Sequence, residues 1–161
     1  MYKLTVGISI LFMIGLAATG VLLIAPDPAA AQGQCHKINT TQTSVINPSD
    51  FTTVGEFKSG ILKGTSKFTG DQASVTPIPG PAVPTVSYTG ILEITTDKGT
   101  LTTRGVGVFE TVPFGIGTQF DRVIAGTDRL AGATGFLYYT FKADGTGAAF
   151  TSVVSGEICV H

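Results

Sequence analysis

Residues 32–161 are predicted to form an all-β domain, an antiparallel eight-stranded β-barrel closed by one disulfide, and three features of the sequence carry that expectation. Short runs of β-branched and aromatic residues are punctuated by glycine-containing turns, without the sustained apolar period that a helix needs. Two of those turns are short enough to make hairpins, which sets neighbouring strands antiparallel. The two cysteines, Cys35 and Cys159, stand near the two ends of the domain, so a bridge between them draws the first and last strands together.

Ahead of the domain, Lys3 precedes an apolar stretch from Leu4 to Ile24, followed by Pro26, Pro28 and the small residues Ala29-Ala30-Ala31. This is the layout of a secretory signal peptide over residues 1–31, with cleavage expected after Ala31 and a secreted or periplasmic destination. An apolar stretch of about twenty residues just spans a bilayer, so a retained leader would act as a membrane anchor. Export places both cysteines in an oxidising compartment, where a disulfide persists.

Strands are expected near Cys35 to Ile46, Val54 to Lys63, Thr65 to Thr69, Val86 to Thr96, Thr100 to Thr111, Gln119 to Ala125, Thr134 to Lys142 and Ala148 to Val160. Thr96-Asp97-Lys98-Gly99-Thr100 joins two of them, with Gly99 free to take a positive φ, and Ala143-Asp144-Gly145-Thr146-Gly147 joins the last two. Thr76 to Pro84 holds four prolines, which excludes a central strand and predicts a stiff extended loop, either a connector or a lid over one barrel mouth. Gly64 to Gly70 and Gly126 to Gly132 both read G-T-x-x-Φ-x-G, where Φ is a large apolar residue. In each, the outer glycines are expected to bend the chain while Phe68 or Leu130 pins the turn to the core. Asn39-Thr40-Thr41 fits a glycosylation sequon, a short pattern that arises often by chance.

The charge balance excludes several classes of partner. Loss of the leader removes Lys3 and Asp27 together, so the net charge stays at -1. The remaining bases are scattered singly among acids, and nucleic-acid binding, which needs a basic patch, is not expected. His36 follows Cys35 and His161 lies two residues beyond Cys159, but these spacings match no recurrent zinc pattern, so no metal is expected. Neither glycine-rich segment has the Walker pattern or a following amphipathic helix, and no cofactor is expected.

From Gly99-Thr100-Leu101-Thr102-Thr103-Arg104-Gly105 the chain leads into Asp121-Arg122-Val123-Ile124-Ala125-Gly126-Thr127-Asp128-Arg129-Leu130-Ala131-Gly132-Ala133-Thr134-Gly135. This stretch resembles the C-terminal half of the allene oxide cyclase and dirigent protein superfamily, in which a hydrophobic strand runs into a G-G-T-G-x-F-x-x-A-x-G turn. It is most similar to exported bacterial members, whose chains end in an S-G-E-I-C like that at Ser155 to Cys159. The resemblance implies an eight-stranded barrel with an apolar cavity, assembled as a trimer in plant relatives. Asp128 stands where the pattern has a glycine, and Leu130 where it has phenylalanine. The catalytic groups of the family have no definite counterparts here, so no catalytic residue carries over, and an isomerase or cyclase of the allene oxide cyclase or dirigent type is what the resemblance suggests as an alternative.

Alternate residues line a barrel interior, which makes a polar side chain on an apolar face a candidate ligand contact. Tyr88, Glu93 and Arg104, on the hairpin from Val86 to Glu110, and Arg122, in the strand from Gln119 to Ala125, are the candidates. A four-residue loop at the hairpin puts Glu93 and Arg104 on one face; a three-residue loop puts Arg104 with Tyr88, Leu92 and Ile94. In the strand after it, either Asp121 or Arg122 faces inward. No catalytic triad, paired carboxylates or free thiol emerges. The sequence therefore predicts an exported barrel holding a small hydrophobic molecule, with an isomerase or cyclase and a structural envelope module as the alternatives.

Overall fold

The computed structural model describes residues 33–47, 49–50, 52–80, 84–111 and 115–161, so the expected signal peptide over residues 1–31 and positions 81–83 of the proline-rich segment lie outside the described residues. The chain runs through β1 (Gln34–Asn47), β2 (Thr52–Phe57), β3 (Gly64–Gly70), β4 (Thr76–Pro77), β5 (Thr85–Thr96), β6 (Gly99–Glu110), β7 (Ile116–Gly126), β8 (Thr134–Ala143) and β9 (Ala149–Val160). Among the described residues, eight of these strands form a closed antiparallel barrel, with the two-residue β4 added against β5. Closure comes from two pairings. β3 meets β5 from Gly64↔Thr96 to Gly70↔Gly90, and β1 meets β9 over twelve pairs from Gln34↔Val160 to Val45↔Ala149. Every long strand is thereby paired on both sides, which removes the free edges that invite aggregation.

Cys35 and Cys159 are direct partners across β1 and β9 and form the disulfide. The bond lies outside the barrel wall, because in β1 it is Ile38, Thr40, Gln42 and Ser44 that point inward. It ties residues 124 apart in sequence, a loop for which closure entropy amounts to about 5 kcal/mol before strain. Among the described residues no helix is long and apolar enough to cross a membrane.

The core fills one end of the barrel. Leu92, Ile94, Leu101, Leu137, Val154 and Ile158 come from strand faces, while Leu62 and Leu130 enter from two single-turn 3-10 helices, Gly60–Leu62 and Asp128–Leu130. These turns are built alike. Each follows a residue in extended conformation, Ser59 or Thr127, opens on a positive φ, +74° at Gly60 and +51° at Asp128, and buries a leucine two residues later. A short polar residue is the one non-glycine type that visits this left-handed region readily, so aspartate can stand where the resembled pattern has glycine.

Several boundaries differ from the sequence expectation. The second strand stops at Phe57 instead of continuing to Lys63, because positive φ at Gly60 breaks extended pairing and Leu62 turns in to the core. The two G-T-x-x-Φ-x-G segments are not structural repeats: Gly64–Gly70 is strand β3, whereas Gly126–Gly132 holds a turn. The structural echo of that turn is Gly60–Leu62, and the two share the sequence Leu-x-Gly, Leu62-Lys63-Gly64 and Leu130-Ala131-Gly132. Thr76 and Pro77 of the proline-rich loop pair with Ser87 and Val86, an edge position where the missing N–H of proline is tolerated. Thr96 pairs with Gly99, so the hairpin loop has two residues, Asp97 and Lys98, rather than three or four.

Candidate functional site

Beyond the leucine-rich core, the interior changes character. One rung of the barrel reads, strand by strand, Tyr88, Gly107, Gln119, Tyr139 and Val154, each residue paired with the next across β5 to β9. The adjoining rung reads Gly90, Gly105, Asp121, Leu137 and Gly156. Glycines 105 and 107 make room for the large polar neighbours. A Cβ at 107 would stand 2.7 Å from Tyr88 Cε1 and nearer still to its hydroxyl, and one at 105 would stand 2.9 Å from Gln119 Nε2 and nearer to Asp121.

In that space a continuous polar chain forms. The Tyr88 hydroxyl donates to Gln119 Oε1 at 2.8 Å, and Gln119 Nε2 donates to Asp121 Oδ1 at 2.7 Å. Thr103 Oγ1 donates to Asp121 Oδ2 at 2.6 Å. Asp121 is fully buried, and burial pushes its carboxyl above the ordinary range, partly offset by the Thr103 and Gln119 hydrogen bonds. Burial, and then the Asp121 charge, raise Tyr88 well above the usual tyrosine value. Tyr139 is raised by the same causes in the same order, with Tyr88 adding to them. Its hydroxyl is buried and has no hydrogen-bond partner among the described residues.

Next to this chain lies a cavity of about 130 Å³. One side is an arc of aromatic rings in successive contact: Phe68 to Tyr88 at 5.9 Å between centroids, Tyr88 to Phe109 at 6.0 Å, Phe109 to Phe141 at 6.5 Å and Phe141 to Phe150 at 5.7 Å. β1 and β9 add the polar Gln42, Ser44 and Ser152 to the lining, beside Ile46 and Phe150 of the same strands. Gln42 Nε2 is engaged by Ser66 Oγ at 2.8 Å. Gln72 and Val75, from the connection between β3 and β5, also line the cavity. That connection is held against β5 by Asp71 N–H to the Thr89 carbonyl and by Thr89 N–H to Ser74 Oγ. Asp121 is not among the lining residues; Gln119 stands between it and the cavity.

Of the residues singled out from the sequence, Tyr88 faces the cavity. Glu93, Arg104 and Arg122 are exposed on the outer face, which corrects their expected place in the interior. The two-residue hairpin loop pairs Arg104 with Ile91 and Glu93 with Thr102, which sets both charges on one face, as a four-residue loop would, and burial of Leu92, Ile94, Leu101 and Thr103 makes the opposite face the inner one. Arg122 pairs with Arg104 on the same outer surface, so of the two neighbouring charges it is Asp121 that turns inward. Gln119, Tyr139, Phe109, Phe141 and Phe150 were not singled out. Their signal was the Gly105-Val106-Gly107-Val108 alternation, which marks an inner face emptied of side chains and hence large partners opposite. Cys35, Glu157 and Cys159 cluster closely enough to suggest a metal, but the sulfurs are bonded to each other and offer no thiolate.

No family model matches the chain, and no curated protein is significantly similar to it. Among solved structures, the chain is similar to a pterocarpan synthase dirigent protein, at 9% identity and a TM-score of 0.36, over 89% of this chain and 99% of that one.

Proposed function

We propose that this chain is an exported barrel that holds a small, largely apolar molecule in the cavity between the aromatic arc and the β1–β9 wall. The observation that carries this reading is the arc itself: five rings in edge or tilted contact that line open space, two of which, Phe68 and Phe141, also pack against the core. An apolar cavity of about 150 Å³ is known to accept benzene, so about 130 Å³ suits a ligand, or the inner part of one, about one ring in size. Export is supported by the leader-like residues 1–31, and the Cys35–Cys159 bond is compatible with an oxidising compartment. Native mass spectrometry of the disulfide-intact domain, followed by extraction of small molecules, tests it. A stoichiometric apolar species is the expected result; an empty protein that also takes up no single-ring probe would overturn it.

A second reading, an isomerase or cyclase, is favoured by the buried acid Asp121 and its link through Gln119 to Tyr88. It requires Asp121 to act through Gln119, since the carboxyl does not line the cavity. Turnover of a co-purified ligand that is lost in Asp121→Asn would establish it. Self-association, expected as a trimer from the family resemblance, is supported by exposed Val106, Phe120 and Tyr138 side by side on β6 to β8, with Phe136 stacked on Phe120. Sedimentation of wild type against Phe120→Lys checks it, the variant sedimenting as monomer.

A further inference from the structure

We infer that the cavity's ligand is uncharged and carries a hydroxyl, which Ser152 and Gln42 engage on the β1–β9 wall. This rests on the ligand-holding reading above and adds to it the chemistry of the occupant's polar end. Ser152 stands on the inner face of β9, paired with Phe141 of β8 on one side and with Gln42 of β1 on the other. Ser44 follows on the inner face of β1, paired with Phe150. The aromatic arc thus gives way to a polar strip at Phe141 and Phe150, and these side chains all line the one cavity. Gln42, Ser44 and Ser152 are 7%, 9% and 4% exposed. Among the described residues, neither serine hydroxyl takes part in a hydrogen bond, and of the Gln42 amide Nε2 alone is used, by Ser66 Oγ at 2.8 Å. Nor are these atoms sealed off, in contrast to the buried, unpartnered hydroxyl of Tyr139. With its side chain turned inward and its strand paired on both sides, Ser152 Oγ opens onto the cavity. Buried polar groups are nearly always satisfied, and a ligand that displaces water from them must replace its hydrogen bonds.

What the strip recognises follows from its donors and acceptors. Gln42 Oε1 only accepts, whereas a serine hydroxyl both donates and accepts. A ligand hydroxyl matches the pair: its proton goes to Gln42 Oε1, and its oxygen accepts from Ser152 Oγ. Polar groups elsewhere on the wall are already committed, the Tyr88 hydroxyl to Gln119 and Gln119 Nε2 to Asp121. No Lys, Arg, His, Asp or Glu is among the described residues lining the cavity. An ammonium or a carboxylate would therefore be buried here without a counter-charge, which is strongly unfavourable. The apolar remainder of the ligand lies against Phe141 and Phe150, the rings next to Ser152 and Ser44.

The test uses three single-ring probes of nearly equal size with the disulfide-intact protein: benzyl alcohol, ethylbenzene, which lacks the hydroxyl, and benzylamine, which is cationic at neutral pH. Calorimetric titration of wild type, Ser152→Ala and Gln42→Met gives the affinities. Each substitution removes a polar group of the strip while keeping an unbranched or small side chain in its place. Benzyl alcohol binding is expected to weaken about fivefold in either variant, the worth of one hydrogen bond, while ethylbenzene binding does not weaken, which also shows that the cavity is intact. Three results would overturn the inference and leave the ligand-holding reading standing: benzyl alcohol binding that ignores both substitutions, equal losses for benzyl alcohol and ethylbenzene, or benzylamine binding as tightly as benzyl alcohol. Binding of none of the three probes would overturn both.

Discussion

Replacing Gly107 by alanine tests whether the absence of a side chain there is what places Tyr88 in the cavity wall. The new Cβ would stand 2.7 Å from Tyr88 Cε1, and closer to Cζ and the hydroxyl, where ordinary contact begins near 3.4 Å. The ring must therefore retreat by about 1 Å, against Phe68 and Phe109, whose centroids lie 5.9 and 6.0 Å away. Overpacking of this kind costs about 1–3 kcal/mol. The retreat also strains the 2.8 Å bond to Gln119, worth about 1 kcal/mol. A destabilisation of roughly 2–4 kcal/mol is expected in urea unfolding, read as a lower midpoint at unchanged slope. In a Tyr88→Ala background the space is vacant, and Gly107 does not need a positive φ. There the same substitution becomes neutral or stabilising by about 0.4–1 kcal/mol, because alanine lowers the entropy of the unfolded chain. The double-mutant cycle should thus show coupling of at least about 2 kcal/mol. Equal cost in both backgrounds would refute the argument that glycine 107 exists to seat the tyrosine.

Tyr139→Phe should stabilise the ligand-free protein by about 1–3 kcal/mol in the same assay, since it deletes a buried hydroxyl with no partner; a loss of stability would reveal a partner for that hydroxyl. Asp121 has a folded-state pKa raised above its unfolded value of about 3.9, so the folded state holds the proton more tightly and stability declines as pH rises from there through the raised value. Asp50 and Asp144 are lowered, chiefly by hydrogen bonds from Thr52 and Thr146, and act in the opposite sense, their contribution being lost as pH falls. Unfolding midpoints of wild type and Asp121→Asn from pH 4 to 8 separate the two, the variant losing the decline; parallel curves would contradict the buried-acid assignment. Reduction of Cys35–Cys159 should cost about 2–5 kcal/mol without dissolving the barrel, because twelve residue pairs still join β1 to β9; thermal melts with and without reductant check this.

The strand order was legible because each barrel strand is bounded by chemistry that admits few alternatives: glycines 99 and 147 at hairpins, prolines between β3 and β5, and cysteines in the first and last strands. Side-chain direction was not. Loop length settles which residues of two paired strands share a face, and the Asp97-Lys98 loop puts Glu93 with Arg104, but it does not say which face is inner. The choice of Glu93, Arg104 and Arg122 as interior contacts assumed that a polar residue in an apolar strand is there for a ligand. In this barrel charge goes outward, and interior polarity is carried by uncharged groups, among them Tyr88, Gln119, Gln42, Ser44 and Ser152, with Asp121 the exception, held by two donors. The end of β2 was misread for a related reason, since Gly60 looked like a strand residue while serving as the start of a turn.

The two leucine-bearing turns bear directly on how a ligand reaches the cavity. Gly60–Leu62 and Asp128–Leu130 come from opposite parts of the sequence, yet each drives a buried leucine into the same end of the barrel. With Leu62 and Leu130 packed among Ile94, Leu101 and Ile158, that end is solid core. The cavity therefore opens toward the other end, where Phe109, Phe141 and Phe150 surround it and Gln72 and Val75 reach over it. A ligand entering there meets the rings of Phe109, Phe141 and Phe150 first, so apolar surface governs capture. Substitutions near the mouth, such as Val75→Ala, should accordingly change association rates for apolar probes generally. Stopped-flow binding of benzene and ethylbenzene to wild type and Val75→Ala checks this; equal association rates in the two proteins would refute it.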